Sequence, residues 1–183
     1  CGGGEAVRDV LPRLLSRAGR LVLDADALNA VASDSTLQTL LTARRDAGRA
    51  TVLTPHPLEA ARLLNVRTAQ VQSDRLDSAS QLARRFGCVV LLKGAGTVVA
   101  SPDGVASINP TGNAALASAG TGDVLAGWLA GLWAQASDTA PASTAFQAAV
   151  VAAFMHGAAA DRATSNPLRA ADLIEAMHAA RGI

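Results

Sequence analysis

Five consecutive apolar residues, Cys88-Val-Val-Leu-Leu92, constrain the fold more than any other stretch of the chain. A run without polar alternation is a strand buried on both faces, so it needs a helix layer above and below. The rest of the sequence supplies both. Short β-type runs at residues 20–23, 51–53, 97–100 and 105–108 alternate with segments whose apolar residues recur at helical spacing. Helices are expected over residues 36–47, 58–64, 68–86, 122–135, 144–163 and 169–180. Another is expected around Val7 to Leu15, with Pro12 either kinking it or marking its start. Ser101-Pro-Asp-Gly104 reads as the turn of a hairpin. The alternation predicts an α/β fold, a mainly parallel central sheet flanked by helices in three layers. In such folds ligands sit beyond the carboxyl ends of the strands.

Composition closes several alternatives. The 16 basic and 15 acidic residues leave a net charge of +1, and only 3% of residues are aromatic. No broad attraction to nucleic acid or anionic lipid is expected, and little is available for base stacking. The most apolar stretch, residues 124–134, is too short to span a membrane and contains two glycines. Two cysteines, Cys1 and Cys88, make a disulfide framework unexpected and fit a reducing, cytoplasmic setting. Residues 1–183 suit a single domain, and the absence of an initiator Met leads us to expect further residues upstream. Alanine occupies 41 positions, and Lys93 is the one lysine beside fifteen arginines. A compact ammonium does what an arginine fork cannot where it must meet a single phosphate, so Lys93 stands out.

The polar motifs follow strands or open helices. Gly120-Thr121-Gly122-Asp123 precedes an apolar helical segment. Free N–H groups and the positive end of the helix dipole make such a start an anion site, and glycines let a phosphate approach. Asp123 either caps the first turn or, at a phosphate site, orients and deprotonates an attacking hydroxyl. Lys93-Gly94-Ala95-Gly96-Thr97 leaves the buried strand as a turn with an exposed lysine or as a nucleotide contact; it is not a Walker loop. Thr54-Pro-His56-Pro57-Leu-Glu59 is a stiffened segment that either starts a helix or fixes His56 for a ligand. Asp24-Ala-Asp26-Ala-Leu-Asn29 is turn and cap chemistry, or a pair of acids that orient a ligand or a hydrated Mg²⁺. Asn109-Pro-Thr-Gly-Asn113 reads as a polar turn, and His156 and His178 as structural or surface residues. No residue set has the spacing of a metal centre.

Taken together and in order, Val22-Leu-Asp-Ala-Asp-Ala-Leu-Asn29, Leu53-Thr-Pro-His-Pro57 with Glu59, Val90-Leu-Leu-Lys-Gly-Ala95, Asn109–Asn113 and Gly120-Thr-Gly-Asp-Val-Leu-Ala-Gly127 resemble the ADP/ATP-dependent NAD(P)H-hydrate dehydratases of the ribokinase-like superfamily. The resemblance implies a ribokinase-like fold and a lyase of metabolite repair. ADP or ATP, with Mg²⁺, would phosphorylate the hydroxyl of hydrated NADH or NADPH, and phosphate would then leave. It implies Asp123 as base, Gly120, Thr121 and Gly122 around the transferred phosphate, and Lys93, Gly94, Ala95, Gly96 and Thr97 on the adenine nucleotide. Gly4, Asp26, Asn29, His56 and Asp123 would border the hydrated dinucleotide. Cys1-Gly-Gly-Gly4 corresponds to the end of a glycine-rich family segment, which implies that about the first third of the usual domain lies outside this sequence. Leu58 and Ala119 stand where the family favours glycine. A homo-oligomer, small-molecule partners and a cytoplasmic location are expected. The competing expectations are a ribokinase-like vitamin-precursor kinase and a non-catalytic nucleotide-binding module.

Overall fold

The structure, a computed structural model, describes residues 5–137, 140–165 and 167–179. Helix α1 (Glu5–Arg17) carries Pro12 in its interior. Then follow β1 (Leu21–Leu23), α2 (Asp26–Ser33), α3 (Ser35–Asp46), β2 (Thr51–Leu53), α4 (Pro57–Leu64), α5 (Thr68–Ser73), α6 (Arg75–Phe86) and β3 (Val89–Leu92). The chain goes on through β4 (Val98–Ala100), β5 (Ala106–Ile108), a 3₁₀ turn (Ala114–Leu116), α7 (Thr121–Ala134), α8 (Pro141–Arg162) and α9 (Ala170–Ala179).

The sheet has the order β1-β2-β3-β4-β5. The first three strands are parallel, with Leu23 beside Leu53 and Leu53 beside Val90. The last three form an antiparallel meander, with Leu91 beside Val99 and Val99 beside Ser107. The expected hairpin at residues 101–104 joins β4 to β5. The Lys93–Thr97 segment is a second hairpin connection, between β3 and β4, so the parallel part of the sheet stops at β3.

Alternation along the strands divides the core in two. Leu23, Leu53, Val90, Leu92, Val98 and Ala100 face one layer, where they pack with Leu11, Leu28, Leu41, Leu63, Leu82 and Phe86. Val52, Val89, Leu91 and Val99 face the other, against Leu125, Leu129 and Trp133 of α7 and the alanines Ala145, Ala149 and Ala152 of α8. Each fully buried Leu or Val contributes about 1.5–3 kcal/mol through removal of its apolar surface from water. Helix α8 is long and apolar enough to cross a membrane by length and composition, but its alanine face is buried against the sheet. A third cluster, Ala159, Ala160, Leu168, Leu173 and Met177, fastens α9 to the end of α8.

Two local features depart from the sequence expectation. The helix expected over 68–86 is divided, because Asp74 takes an extended conformation and its side chain accepts from the Asp77 amide, capping a new helix. Residues after Asp24 were expected as turn and cap chemistry or as a ligand-orienting pair of acids, without a full helix, and α2 begins at Asp26. The turn is compressed into Ala25, whose φ of 51° and ψ of −118° are rarely adopted by a residue with a Cβ. Arg44, also buried, donates to Thr51 Oγ1 and to the carbonyls of Leu15, Ala18 and Ala50. Burial lowers its pKa, and these acceptors compensate the charge, so Arg44 ties α1, α3 and β2 together.

Candidate active site

Three strand ends and one helix start converge beyond the carboxyl edge of the parallel strands. Thr54 N donates to Leu23 O, and Lys93 N donates to Pro55 O at 2.8 Å, so the segments leaving β1, β2 and β3 are hydrogen-bonded side by side. From the end of β1, Asp24 Oδ1 accepts from the Ala25 amide at 2.9 Å and from Lys93 Nζ at 2.7 Å. The Asp24 side chain is 8% exposed and that of Lys93 20%. The ion pair is sheltered from solvent, and the Ala25 amide shares its carboxylate oxygen. The lysine is therefore held by a carboxylate that lies 69 residues away in sequence. Sequence reading placed Asp24 in the right motif without assigning it this partner.

The held ammonium faces the start of α7. A Cβ at Gly122 would stand 3.5 Å from Lys93 Nζ, so the lysine covers the bare face of that glycine. Gly120 is the N-cap residue, at φ 86°, and offers the helix no side-chain cap. Thr121 N reaches back to Ser118 O and Val124 N to Gly120 O, while among the described residues the amides of Gly122 and Asp123 bond to no backbone carbonyl. Thr121 cannot serve as a cap either, since its hydroxyl is turned to the carbonyls of Leu116 and Ser118. Two orphan amides, the helix dipole and an ammonium thus share one small region, the physical definition of an anion site.

His156 supports this region from below. It is buried, and its Nε2 donates to Thr121 O at 2.9 Å. Burial lowers its pKa, partly opposed by that hydrogen bond, and the nearby Lys93 charge lowers it further. A neutral imidazole is the form that fits there. The sequence expectation that His156 is structural agrees with its burial, but its position under the first turn of α7 had no signal in the sequence.

Asp123 is exposed and lines a groove of about 390 Å³ with Val124, Gly127, Trp128, Gly131 and Ile174. Its carboxylate has no hydrogen bond or ion pair to a described residue. An unpaired carboxylate next to an amide pocket is free to accept a proton from a group held there.

The other expected residues divide. His56 is the N-cap of α4: Nδ1 accepts from the Leu58 and Glu59 amides, and Glu59, buried, accepts from His56 N at 2.8 Å. Only the Nε2 edge, 3.4 Å from Glu59 Oε1, remains for anything else. Asn29 Oδ1 accepts from Arg62 Nη1 at 2.6 Å. Asp26 lies in the first turn of α2, one residue beyond Ala25. Gly94, Ala95, Gly96 and Thr97 form the β3–β4 connection, in which Thr97 Oγ1 donates to Gly94 O. Gly4 lies outside the described residues. The Asn109–Asn113 loop is fastened to α8 by Asn109 to Ala153 O, Thr111 to Phe154 O and Asn113 to Ala160 O. Leu58 is 44% exposed in α4.

Comparison with known proteins places the family and the fold. A family profile described as NAD(P)H-hydrate dehydratase matches residues 2–180. The chain is 45% identical, over 93% of its length, to a bifunctional NAD(P)H-hydrate repair enzyme of Moorella thermoacetica, and 46% identical, over 77% of its length, to an ADP-dependent (S)-NAD(P)H-hydrate dehydratase of Neisseria meningitidis. It covers 30% and 44% of those two proteins. The ADP/ATP-dependent NAD(P)H-hydrate dehydratase of Bacillus subtilis, crystallised with ATP and Mg²⁺, superposes on the whole chain with a TM-score of 0.75 at 29% identity, and 61% of that structure is covered. The chain thus spans less than two thirds of each of these relatives, and it belongs to the NAD(P)H-hydrate dehydratase family.

Proposed function

We propose that the intact protein repairs hydrated NADH and NADPH at the expense of ADP or ATP. The observation that carries this reading is the start of α7, where Lys93 Nζ lies against Gly122 and the next residue, Asp123, presents an unengaged carboxylate. An amide pocket with an ammonium suits a phosphoryl group in transfer, and a free carboxylate beside it suits the acceptor hydroxyl. The hydroxyl oxygen of the hydrated ring attacks the terminal phosphorus, its proton passes to Asp123, and AMP leaves when ADP is the donor or ADP when ATP is. The bond between the ring carbon and that oxygen then breaks, and phosphate departs with its electron pair. The adjacent ring carbon gives up a proton, and the double bond re-forms. Phosphate is a better leaving group than hydroxide, which is the reason for spending the nucleotide.

Gly120, Thr121 and Gly122 surround the transferred group in this reading, and Lys93 to Thr97 take the nucleotide. Asp26, Asn29, the Nε2 edge of His56 and Gly4 border the hydrated dinucleotide. Mg²⁺ enters with the nucleotide as part of the co-substrate. Among the described residues no three His, Cys, Asp or Glu side chains gather into a cation site, and Asp24 is engaged by Lys93. Magnesium commonly keeps phosphate and water ligands in such complexes.

Further polypeptide completes the domain. Among the described residues β1 pairs only with β2, and the apolar groove on α7 beside Asp123 has small residues, Gly127 and Gly131, on its floor. A free parallel edge and an open apolar helix face next to it suit an added strand and helix, in keeping with the greater length of the relatives. The reading also includes a homo-oligomer in the cytoplasm.

The test uses the full-length protein with NADH hydrate, ADP and Mg²⁺. Recovery of the reduced-nicotinamide absorbance, abolished in Asp123→Asn while nucleotide binding persists, is the expected result. Turnover of a vitamin precursor in place of the hydrate would overturn the proposal, as would an Asp123→Asn protein that keeps full activity.

A further inference from the structure

Arg75 opens α6, outside every motif considered so far, yet it reaches the β3–β4 connection with its whole guanidinium group. Nη2 donates to Leu92 O at 3.0 Å, and Nη1 donates to Gly96 O at 3.2 Å and to Ala95 O. Nε is buried and has no hydrogen-bond partner among the described residues. Gly94, at φ +142°, leaves the space the guanidinium occupies, since a Cβ there would fall 2.9 Å from Nη2. Arg75 is half-buried, and its charge is directed at these carbonyl oxygens.

This arrangement has a consequence for the opposite side of the loop. A peptide unit is planar and trans, so its N–H points away from its C=O. Ala95 O and Gly96 O belong to the same peptide units as Gly96 N and Thr97 N. With both carbonyls drawn to Arg75, both amides face away from it. Among the described residues neither amide bonds to another backbone group. The Gly94 carbonyl, in turn, is occupied by the Thr97 hydroxyl. The loop therefore presents donors and conceals acceptors, as a phosphate or ribose oxygen requires.

We infer that Arg75 is a positioning residue for the adenine nucleotide, holding the Ala95 and Gly96 carbonyls inward so that the Gly96 and Thr97 amides are turned outward as donors. It acts through the loop and makes no contact with the nucleotide. The inference rests on the proposed use of a nucleotide at this loop. A lysine in its place has one ammonium for three separated carbonyls and does not restore the fork.

The experiment compares full-length wild-type protein with Arg75→Gln, Arg75→Lys and Gly94→Ala, and with the Arg75→Gln/Gly94→Ala double variant. Nucleotide Kd is measured by calorimetry, and KM and kcat are measured for both substrates. The expected result is a nucleotide Kd and KM raised about tenfold in each single variant, with Arg75→Lys no better than Arg75→Gln. The KM for the hydrate stays unchanged and kcat falls less than twofold. The double variant is worse than Arg75→Gln by less than Gly94→Ala is worse than wild type, because both changes release the same loop and only the strain of a side chain at φ +142° is added. A nucleotide Kd equal to wild type in Arg75→Gln and Arg75→Lys, with only a lower Tm, would overturn the inference, as would full recovery by Arg75→Lys, which is what a simple charge contact predicts. Absence of nucleotide binding by the wild-type protein would sink the proposed function instead, and so separates the two failures.

Discussion

Helices α4 and α7 both begin at the carboxyl edge of the sheet, and their first turns are built in opposite ways. At α4 the orphan amides are consumed: His56 Nδ1 accepts from two of them, Pro57 has none to offer, and Glu59 accepts from His56 N. At α7 the cap is a glycine with no side chain, and the Gly122 and Asp123 amides are left open beside Lys93. The first helix start is finished within the fold, whereas the second needs something from outside. A capping box contributes to stability, while an uncapped start that retains an ammonium and a carboxylate gives up that contribution in exchange for a place to hold an anion.

The largest effect that sharpens this contrast is at Asp123. Asp123→Asn removes the base without disturbing packing, because the carboxylate has no partner among the described residues. General-base loss lowers kcat by about 10²–10⁴-fold. Thermal unfolding should stay within a degree or two of wild type. The matching change at α4, Glu59→Gln, should do the reverse. It weakens a buried cap and costs about 1–2 kcal/mol, which calorimetry reads as a Tm lower by roughly 2–8 °C, and kcat per folded molecule is little altered. Equal kinetic damage from both changes would dissolve the distinction between the two starts.

Next in size is Lys93→Met. It takes the cation from the open start and leaves the Asp24 carboxylate, 8% exposed, without its ion-pair partner. Removing one member of a sheltered pair destabilises through the charge left behind. Both nucleotide affinity and Tm should fall. Asp24→Asn with Lys93→Met should recover part of the lost stability but none of the affinity, a double-mutant cycle that separates the two roles of the lysine.

The open start also carries a pH signature. His156 is held neutral under Thr121, with its folded-state pKa lowered from the ordinary 6.5, mainly by burial and further by Lys93. Below 6.5 the unfolded chain therefore binds a proton that the folded chain refuses, so stability falls as pH drops from that value toward the lowered folded pKa. Denaturant unfolding at a series of pH values should have a positive slope of stability with pH in that window. His156→Gln, which keeps a donor for Thr121 O, should flatten it. A slope unchanged in His156→Gln would assign the effect to other groups.

How much of this was legible follows from the range over which each signal acts. The strands were readable because Cys88–Leu92 and its short companions are local patterns, and the Gly120–Asp123 start was readable because a glycine-flanked helix opening is local too. The division at Asp74 was hidden because apolar spacing runs on through residues 68–86 and only the capping geometry of one side chain interrupts it. The Lys93–Thr97 connection was read as a turn or a nucleotide contact, and the structure makes it the turn between β3 and β4, while the antiparallel register it sets depends on pairing that sequence does not record. Asp24 with Lys93, His156 with Thr121 and Arg75 with Leu92 are contacts between distant segments, and nothing in a single sequence couples those positions. His56 lost one of its two ring nitrogens to a cap, a distinction between structural and ligand-facing atoms of the same side chain.

The smallest predicted effect tests the contrast most sharply, since it asks one substitution to move stability and function in opposite directions. Gly122 lies in the first turn of α7 and is absent from the positive-φ residues. Its added Cβ would meet Lys93 Nζ at 3.5 Å, an ordinary contact. Gly122→Ala should therefore be accommodated, and the lower backbone entropy of alanine in a helix is worth up to about 0.5–1 kcal/mol. The same methyl occupies the surface where an anion approaches the Gly122 and Asp123 amides, so nucleotide KM should rise and kcat fall as Tm climbs slightly. The equivalent helix-favouring change at a closed start carries no such penalty. A Gly122→Ala protein that is both more stable and fully active would mean that the bare glycine face is not the surface the phosphoryl group uses, and the open start of α7 would then need another explanation.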